Sequence, residues 1–597
     1  MSSTAEPLAL PGRRTAAGPD PRRWAALVVM LLAAFMNLLD VSIVNIAIPP
    51  IQRGLHASYA DVQWTLTGYA LAYALVLITG GRLGDAYGRK RLFLTGVAGF
   101  TIMSALCGAA TGPGMLIGCR VAQGAMAAIM VPQVLAVIQV IFPPRERIKA
   151  LAGFGVTAGL GTVSGPLIGG LLLQHDLFGL GWRPIFLINV PVGVIAFAAS
   201  AVLVRESRAA NRPRLDPAGV GLISAALLLL LYPLVEGRQL GWPLWTYVSM
   251  TLCVPAFAAF VWFERLKGRR GGSPLVPLSL FTDRAFSAGM AVTGTFFLGV
   301  ASFALVLTLF LQIGLGFSPL HAGLTFLPFS AGVLVSSGAA ARLAPRFGRG
   351  VTMTGALLIA AGMAGLIATL HHYGAAVTTW DLVPGLVAAG LGLGAVLAPI
   401  ADIVLAGVPH RDAGSASGVF NTGLQVGNSI GIALIGVIFF GVLGAQSGPT
   451  AAAVAPQLRS GLVSAGLPAS HTGPIVTQFR SCLHDRLVAT DPTLTPAACR
   501  TPGGRPALPA AAHRVLAGVG GAAVRDDFTA STERTLWFQV GVFGLSFLLM
   551  TLLPRGAGRR RPGSGETGSG EAESGEAEFG SDQVPVVREG ARAGDPA

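Results

Sequence analysis

Charged side chains are scarce: Asp, Glu, Lys and Arg together make up 12% of the 597 residues, against about 25% in an ordinary soluble protein. With hydrophobic residues at 52% and a mean hydropathy of +0.64, a soluble globule is excluded. Lysine is rarer still, and Lys90, Lys149 and Lys267 are followed by Arg91, Ala150 and Gly268. A phosphate-cradling P-loop needs Lys followed by Ser or Thr, so no Walker-type ATPase is encoded. Metal-ligand spacing is missing as well: neither His321 nor the His371-His372 pair stands at such an interval, and no metal site is expected. Gly153-Phe154-Gly155-Val156-Thr157-Ala158 imitates a dinucleotide loop but has no strand before it, and reads as helix packing. Without a cofactor loop or a nucleophile–base constellation, the chain is not expected to be an enzyme and needs no cofactor.

Acids are outnumbered, 28 against 42 bases, which leaves a formal charge of +14. These charges lie in short segments between apolar runs, the way a membrane protein marks its cytoplasmic side, so no nucleic-acid partner is expected. The apolar runs themselves are long. Stretches at about 24–48, 62–80, 92–110, 115–138, 150–173 and 184–204 make a first group of six, and 218–235 and 244–263 follow. A second group lies at about 285–311, 322–341, 351–370, 382–406, 415–443 and 535–553. Each is long enough to cross a bilayer, which predicts an all-α polytopic membrane protein of about fourteen spans.

Domain boundaries follow from these runs. Residues 1–23 read as a disordered cytoplasmic N-terminus, 24–204 as a six-helix bundle, and 205–264 as a connector with two additional helices. Residues 265–443 hold five helices of a second bundle, 444–534 a long external loop, 535–553 its last helix, and 554–597 a disordered Gly/Ser/Glu-rich tail. The first span is expected to end at Pro49-Pro50 and has no cleavage site after it. Alternate connectors carry Arg82/Arg89/Lys90/Arg91, Arg145/Arg147/Lys149, Arg205/Arg208/Arg212/Arg214, Arg265/Lys267/Arg269/Arg270 and Arg342/Arg346/Arg349, while their counterparts are nearly empty. Both termini are therefore expected in the cytoplasm. Cys482 and Cys499 fall in the external segment, where a disulfide or two thiols are equally open; Cys107, Cys119 and Cys253 sit in spans as small apolar residues.

The connector after the second span reads Gly81-Arg82-Leu83-Gly84-Asp85-Ala86-Tyr87-Gly88-Arg89-Lys90-Arg91, and a looser copy, Arg342-Leu343-Ala344-Pro345-Arg346-Phe347-Gly348-Arg349, occupies the matching place in the second half. The first string resembles the signature loop of the major facilitator superfamily. That resemblance implies two six-helix bundles working by alternating access, here with two extra central helices, and a cytoplasmic gate in which Asp85 and Arg89, framed by Gly81 and Gly88, latch the bundles in one state.

Other strings extend the likeness to the fourteen-span drug:proton antiporter family. Gly161-Thr162-Val163-Ser164-Gly165-Pro166-Leu167-Ile168-Gly169-Gly170 resembles the antiporter-specific motif, with Gly161, Gly165 and Gly169 on one helix face and Pro166 freeing a carbonyl. Leu39-Asp40-Val41-Ser42-Ile43-Val44-Asn45 and Leu116-Ile117-Gly118-Cys119-Arg120-Val121-Ala122-Gln123-Gly124 resemble the family's first- and fourth-span motifs. Similar matches open the sixth span (Gly181-Trp182-Arg183-Pro184) and the tenth (Gly316-Phe317-Ser318-Pro319), and fill the thirteenth from Gly414 to Gly431.

A carboxylate inside a span costs roughly 2.5–3.5 kcal/mol on insertion scales and marks a pathway, so Asp40 is the first choice for proton binding. Asp40 lies eight residues from Ile48, roughly 12 Å along a helix, and Arg120 lies at a comparable depth, so the two can touch. Asn37, Asn45, Gln123, Asn421 and Gln425 are further polar cavity positions, whereas Asp402 and Glu236 read as interfacial. The expected activity is proton-driven export of lipophilic, often cationic compounds across a bacterial plasma membrane. The alternative is export of one endogenous metabolite or antibiotic, and a non-transporting sensor ranks below both. Small molecules, protons and the lipid bilayer are the expected partners; no obligate protein partner is expected.

Overall fold

The computed structural model describes residues 21–207, 216–237, 240–272, 274–276, 278–405, 408, 413–489, 496–500 and 508–553. The polar N-terminus before Pro21 and the tail from 554 onward, both read above as disordered, lie outside the described residues. The first half consists of α1 (Arg23–Leu55), α2 (Tyr59–Tyr87), α3 (Arg89–Gly108), α4 (Pro113–Ile141), α5 (Pro144–Gln174) and the interrupted rod α6 (Pro184–Leu187) with α7 (Asn189–Leu203). An inserted pair follows, α8 (Pro217–Glu236) and α9 (Leu244–Arg269), so that its second helix runs past the expected boundary at 264. The second half holds α10 (Arg284–Leu309), the rod α11 (Pro319–Thr325) with α12 (Leu327–Phe347), α13 (Arg349–Tyr373), α14 (Thr379–Leu405), α15 (Ala413–Ser464), α16 (Ala469–Val488) and α17 (Ala510–Met550).

Taking each interrupted rod as one and setting α16 aside leaves fourteen rods. Among the described residues, eleven helices are long and apolar enough to cross a membrane. The other rods, α2, α5 and α17, pack inside the same bundles. Local chemistry sets many of the starts. Proline occupies the first turn of α4, α5, α6, α8 and α11, where its missing N–H costs nothing. Ser58 and Asp61 close a reciprocal capping box on α2.

Pro49 and Pro50 do not end α1, which continues to Leu55. A proline removes the donor for the carbonyl four residues earlier, and the carbonyl so freed by Pro50, that of Ile46, accepts instead from Gln312 Nε2 of the second half at 2.8 Å. Gln312 lies in the wider turn Phe310–Gly314 at the end of α10.

We name the two membrane faces by their landmarks: the hairpin side carries the α2–α3 turn, the loop side carries 444–534. On the loop side the two halves share one apolar core, in which Ile43, Ala47, Ile51 and Leu55 of α1 join Leu305 and Leu309 of α10 and Ile435, Phe439 and Phe440 of α15. Gln63 Nε2 donates to Ile432 O at 3.0 Å across the same seam, and Tyr59 packs on Phe440 with ring centroids 4.1 Å apart. Toward the hairpin side a separate core cluster, built around Met30, Phe93, Met130 and Phe142, draws on the first half alone. The loop side is thus the closed side.

The described residues of 444–534, a segment read from sequence as a loop, are largely helical. α15 runs unbroken for 52 residues, and its extension packs with α16 and the first part of α17 through Leu458, Leu462, Leu483 and Val519. Cys482 and Cys499 form a disulfide with Cα atoms 4.6 Å apart.

Candidate transport site

Asp40 lies on the α1 face turned toward α4 and α7, and it is fully buried. Arg120 of α4 donates through Nη1 to Asp40 Oδ2 at 2.5 Å, so the pair placed at equal depth by sequence is in contact. Gln123, one turn along α4, donates to Asp40 Oδ1 at 3.1 Å, and Asn189, at the start of α7, donates to the same oxygen at 2.9 Å. A buried carboxylate is tolerated when paired and hydrogen-bonded, and three donors meet that condition here.

Arg120 has partners besides the acid. Its Nε donates to Thr65 O at 3.2 Å and its Nη1 to Gln123 Oε1 at 2.8 Å, while the guanidinium carbon lies 4.2 Å from the centre of the Tyr69 ring. Tyr69 in turn donates to Asn37 Oδ1 at 2.5 Å. Asn37 and Gln123 therefore belong to the site. Asn45 does not: its amide bonds Val41 O of its own helix. Asn421 likewise bonds Ser417 O, and Gln425 accepts from Asn428, both on α15.

Asn189 and Ser104 were not singled out from the sequence. Asn189 spends both amide hydrogens, one on Asp40 and one on Ser104 Oγ at 3.0 Å, and Ser104 donates to Phe186 O at 2.9 Å. The available signal was an amide set in the apolar run Ile185–Val192.

The glycine string of α5 meets both halves. A Cβ at Gly161 would lie 2.6 Å from Leu38 Cβ, one at Gly169 2.7 Å from Ile43 Cγ1, and one at Gly165 would collide with Ser42. Ser42 Oγ donates to Gly161 O at 3.0 Å, so the helix bearing Asp40 lies directly on this face. On another face Gly170 abuts the second half: a Cβ there would sit 2.8 Å from Leu320 Cα of α11, and Gly323 of α11 presses on the Pro166 carbonyl.

At the hairpin, Gly88 adopts a φ of +114°, a conformation that favours glycine. Gly81 has open space where a Cβ would stand. The backbone N–H of Arg89 donates to Ser207 O at 2.9 Å, and that of Lys90 to Glu206 Oε1 at 3.1 Å. Glu206, beyond the end of α7, is thus an acid that the sequence reading passed over, and it braces the hairpin within the first half. The Asp85 side chain lies outside the described set. Glu236 accepts from Trp64 Nε1 at 2.9 Å at the loop-side end of α8, and Asp402 is exposed.

A family model described as Major Facilitator Superfamily matches residues 30–432. The chain belongs to the major facilitator superfamily. It is therefore a membrane transporter and not an enzyme. The chain is 41% identical over 544 residues to a protein of Streptomyces coelicolor named "Probable actinorhodin transporter", covering 90% of this chain and 93% of that one. The tetracenomycin C resistance and export protein of Streptomyces glaucescens is 37% identical across 71% of this chain and 77% of its own length. The multidrug resistance protein Stp of Mycobacterium tuberculosis is 33% identical, with 75% and 83% covered. In fold, the chain resembles a bacterial homologue of the human lysosomal transporter Spinster, with a TM-score of 0.55 at 18% identity over 90% of this chain and 98% of that one.

Proposed function

We propose that this transporter exports lipophilic organic compounds in exchange for protons, with Asp40 as the proton carrier and no cofactor beyond the proton gradient. The observation that carries the reading is the buried Asp40–Arg120 pair, ringed by Gln123 and Asn189, inside the membrane part of the first half. Such a pair is a costly way to hold a fold together; as a proton site it has a use. The positive-inside bias of the connectors puts the hairpin side and both termini in the cytoplasm of a bacterial plasma membrane. The state with its loop side closed is then the inward-facing one.

Each element of the cycle has a group suited to it. In this state the Asp40 carboxyl accepts from three donors. Once the loop side opens, a proton arriving from outside neutralises it and removes the charge that binds Arg120. Arg120 remains supported by Thr65 O, Gln123 and the Tyr69 ring, so it need not travel when the contact breaks. Among the described residues Asn189 Oδ1 has no partner, and a turn of the amide would present that oxygen to a protonated Asp40. Rearrangement at Asp40 reaches the opposite half through contiguous packing: Ser42 and Ile43 on the glycine face of α5, then Gly170 against Leu320. Compound and proton couple only because each binds one conformation better than the other.

Two substrate ranges are compatible with this machinery, a broad set of lipophilic, often cationic drugs or one endogenous metabolite. The second is favoured by the 90% coverage of this chain by a relative named for a single compound. The test is proton flux in proteoliposomes under an imposed pH gradient, on adding a panel of lipophilic cations and of aromatic metabolites. Compound-dependent flux in wild type that vanishes in Asp40→Asn is the expected result. Flux that survives the substitution would remove Asp40 from the carrier role, and flux with one metabolite only would select the dedicated exporter.

A further inference from the structure

At their hairpin-side ends α8 and α9 bring two acids together in the interior. Asp216 caps α8: its Oδ1 accepts from the Gly219 N–H at 2.9 Å and from Lys267 Nζ at 2.7 Å. Glu264 of α9 accepts through Oε2 from the Val276 N–H at 2.9 Å. The two residues are 2% and 1% exposed. Among the described residues, their remaining oxygens, Asp216 Oδ2 and Glu264 Oε1, have no N–H or hydroxyl partner. Both oxygens converge over one glycine, since a Cβ placed on Gly219 would lie 2.8 Å from the first and 2.5 Å from the second.

Two buried carboxylate oxygens facing each other without a donor repel, and each lacks a hydrogen bond. One proton cures both faults. We propose that Asp216 and Glu264 share a proton, carried on Glu264 Oε1 and donated to Asp216 Oδ2, and that this dyad is a second proton-binding site at the hairpin side. The proton belongs on Glu264 because the cation is elsewhere. Burial pushes the Asp216 carboxyl up, but the Lys267 ammonium and the Gly219 N–H outweigh it and hold Asp216 below the usual carboxylate range. Glu264 has a single backbone N–H for its other oxygen.

Among the described residues, the charged groups facing the dyad are Lys267 of α9 and Arg82 of α2. Arg82 Nη2 donates to Pro274 O at 2.6 Å, in the connector whose Val276 N–H is held by Glu264. The dyad therefore sits where the first half, the inserted pair and the lead into the second half meet. Loss of its proton places a second negative charge beside Arg82 and sets the carboxylate in competition with the Pro274 carbonyl for that guanidinium. Asp40 takes no part in this chemistry, so the dyad stands or falls apart from the proton carrier proposed above.

Infrared difference spectroscopy of the full chain in lipid bilayers tests it. Wild-type protein is expected to show the carbonyl band of a buried carboxylic acid at about pH 6 that is gone by about pH 9. Glu264→Gln and Asp216→Asn should each remove the same component of that band, because one proton serves both groups, while Asp40→Asn and Asp527→Asn leave it in place. A band lost in Glu264→Gln but kept in Asp216→Asn would show an unshared acid and overturn the dyad. A wild-type spectrum with no acid band titrating in that interval would overturn it without recourse to any variant.

Discussion

Arg120 illustrates how much one side chain carries. Its guanidinium spans Asp40, Gln123 and the Thr65 carbonyl while lying over Tyr69. Lysine offers a compact ammonium with no planar face, so it cannot serve all of these at once. Arg120→Lys is expected to reach the membrane in normal amount and to lose tenfold or more of compound-driven flux, a loss of about 1.4 kcal/mol or greater in the transport barrier. Asn189→Ala tests the neighbouring amide. It strips one donor from Asp40 and one from Ser104, and should lower stability by about 1–3 kcal/mol. Thermal unfolding in nanodiscs measures it, and an unchanged midpoint would mean that water replaces the amide.

Among the elements, α5 is one on which both halves bear. Gly170→Ala inserts a methyl against the α11 backbone, 2.8 Å from Leu320 Cα and 3.0 Å from Pro319 O. Backbone yields less readily than a flexible side chain, so the loop-side seam should open. The expected outcome is a longer distance between spin labels on the loop-side ends of α5 and α11, with Gly161→Ala, which meets a leucine side chain instead, affecting α1 packing more than that distance.

The rods themselves were plain in the sequence because lipid demands uninterrupted apolar length; depth allowed an Asp40–Arg120 contact, but Arg120 was singled out by its resemblance to the family's fourth-span motif. The helices beyond the membrane were not, since a search for apolar runs passes over amphipathic ones. Yet Ala451, Val454, Leu458 and Leu462 recur at helical spacing and are all buried. Asn189 escaped for another reason: an amide in an aliphatic run has the same sequence appearance whether it packs against carbonyls or holds a carboxylate. Glu206 and the Asp216–Glu264 pair were hidden by basic neighbours, and only the fold shows which acids those bases leave uncovered.

At the scale of the whole molecule, the extramembrane helices are tied to the second half through α15 and α17. Asp527 lies where those two helices leave the membrane-crossing stretch; it is fully buried, accepts from Thr450 Oγ1 at 2.9 Å, and has no partner for Oδ2 among the described residues. Burial pushes its carboxyl up to about 6. A carboxyl raised in the folded state binds its proton more tightly there than when unfolded, so stability is gained as pH falls from about 7 through about 6 toward about 4. Unfolding of this region, followed by hydrogen exchange, should be harder at about pH 5 than at pH 7 by about 1–2 kcal/mol, and Asp527→Asn should remove the difference.

The uninterrupted run of α15 has a mechanical consequence. From Leu443 to Ser464 the helix reaches roughly 30 Å beyond its crossing segment at 1.5 Å per residue. Rotating that half by about 10° would sweep the far tip through roughly 5 Å. A dye fixed there would act as the end of a pointer, turning a small rocking of the bundle into a displacement that single-molecule fluorescence can follow through each turnover.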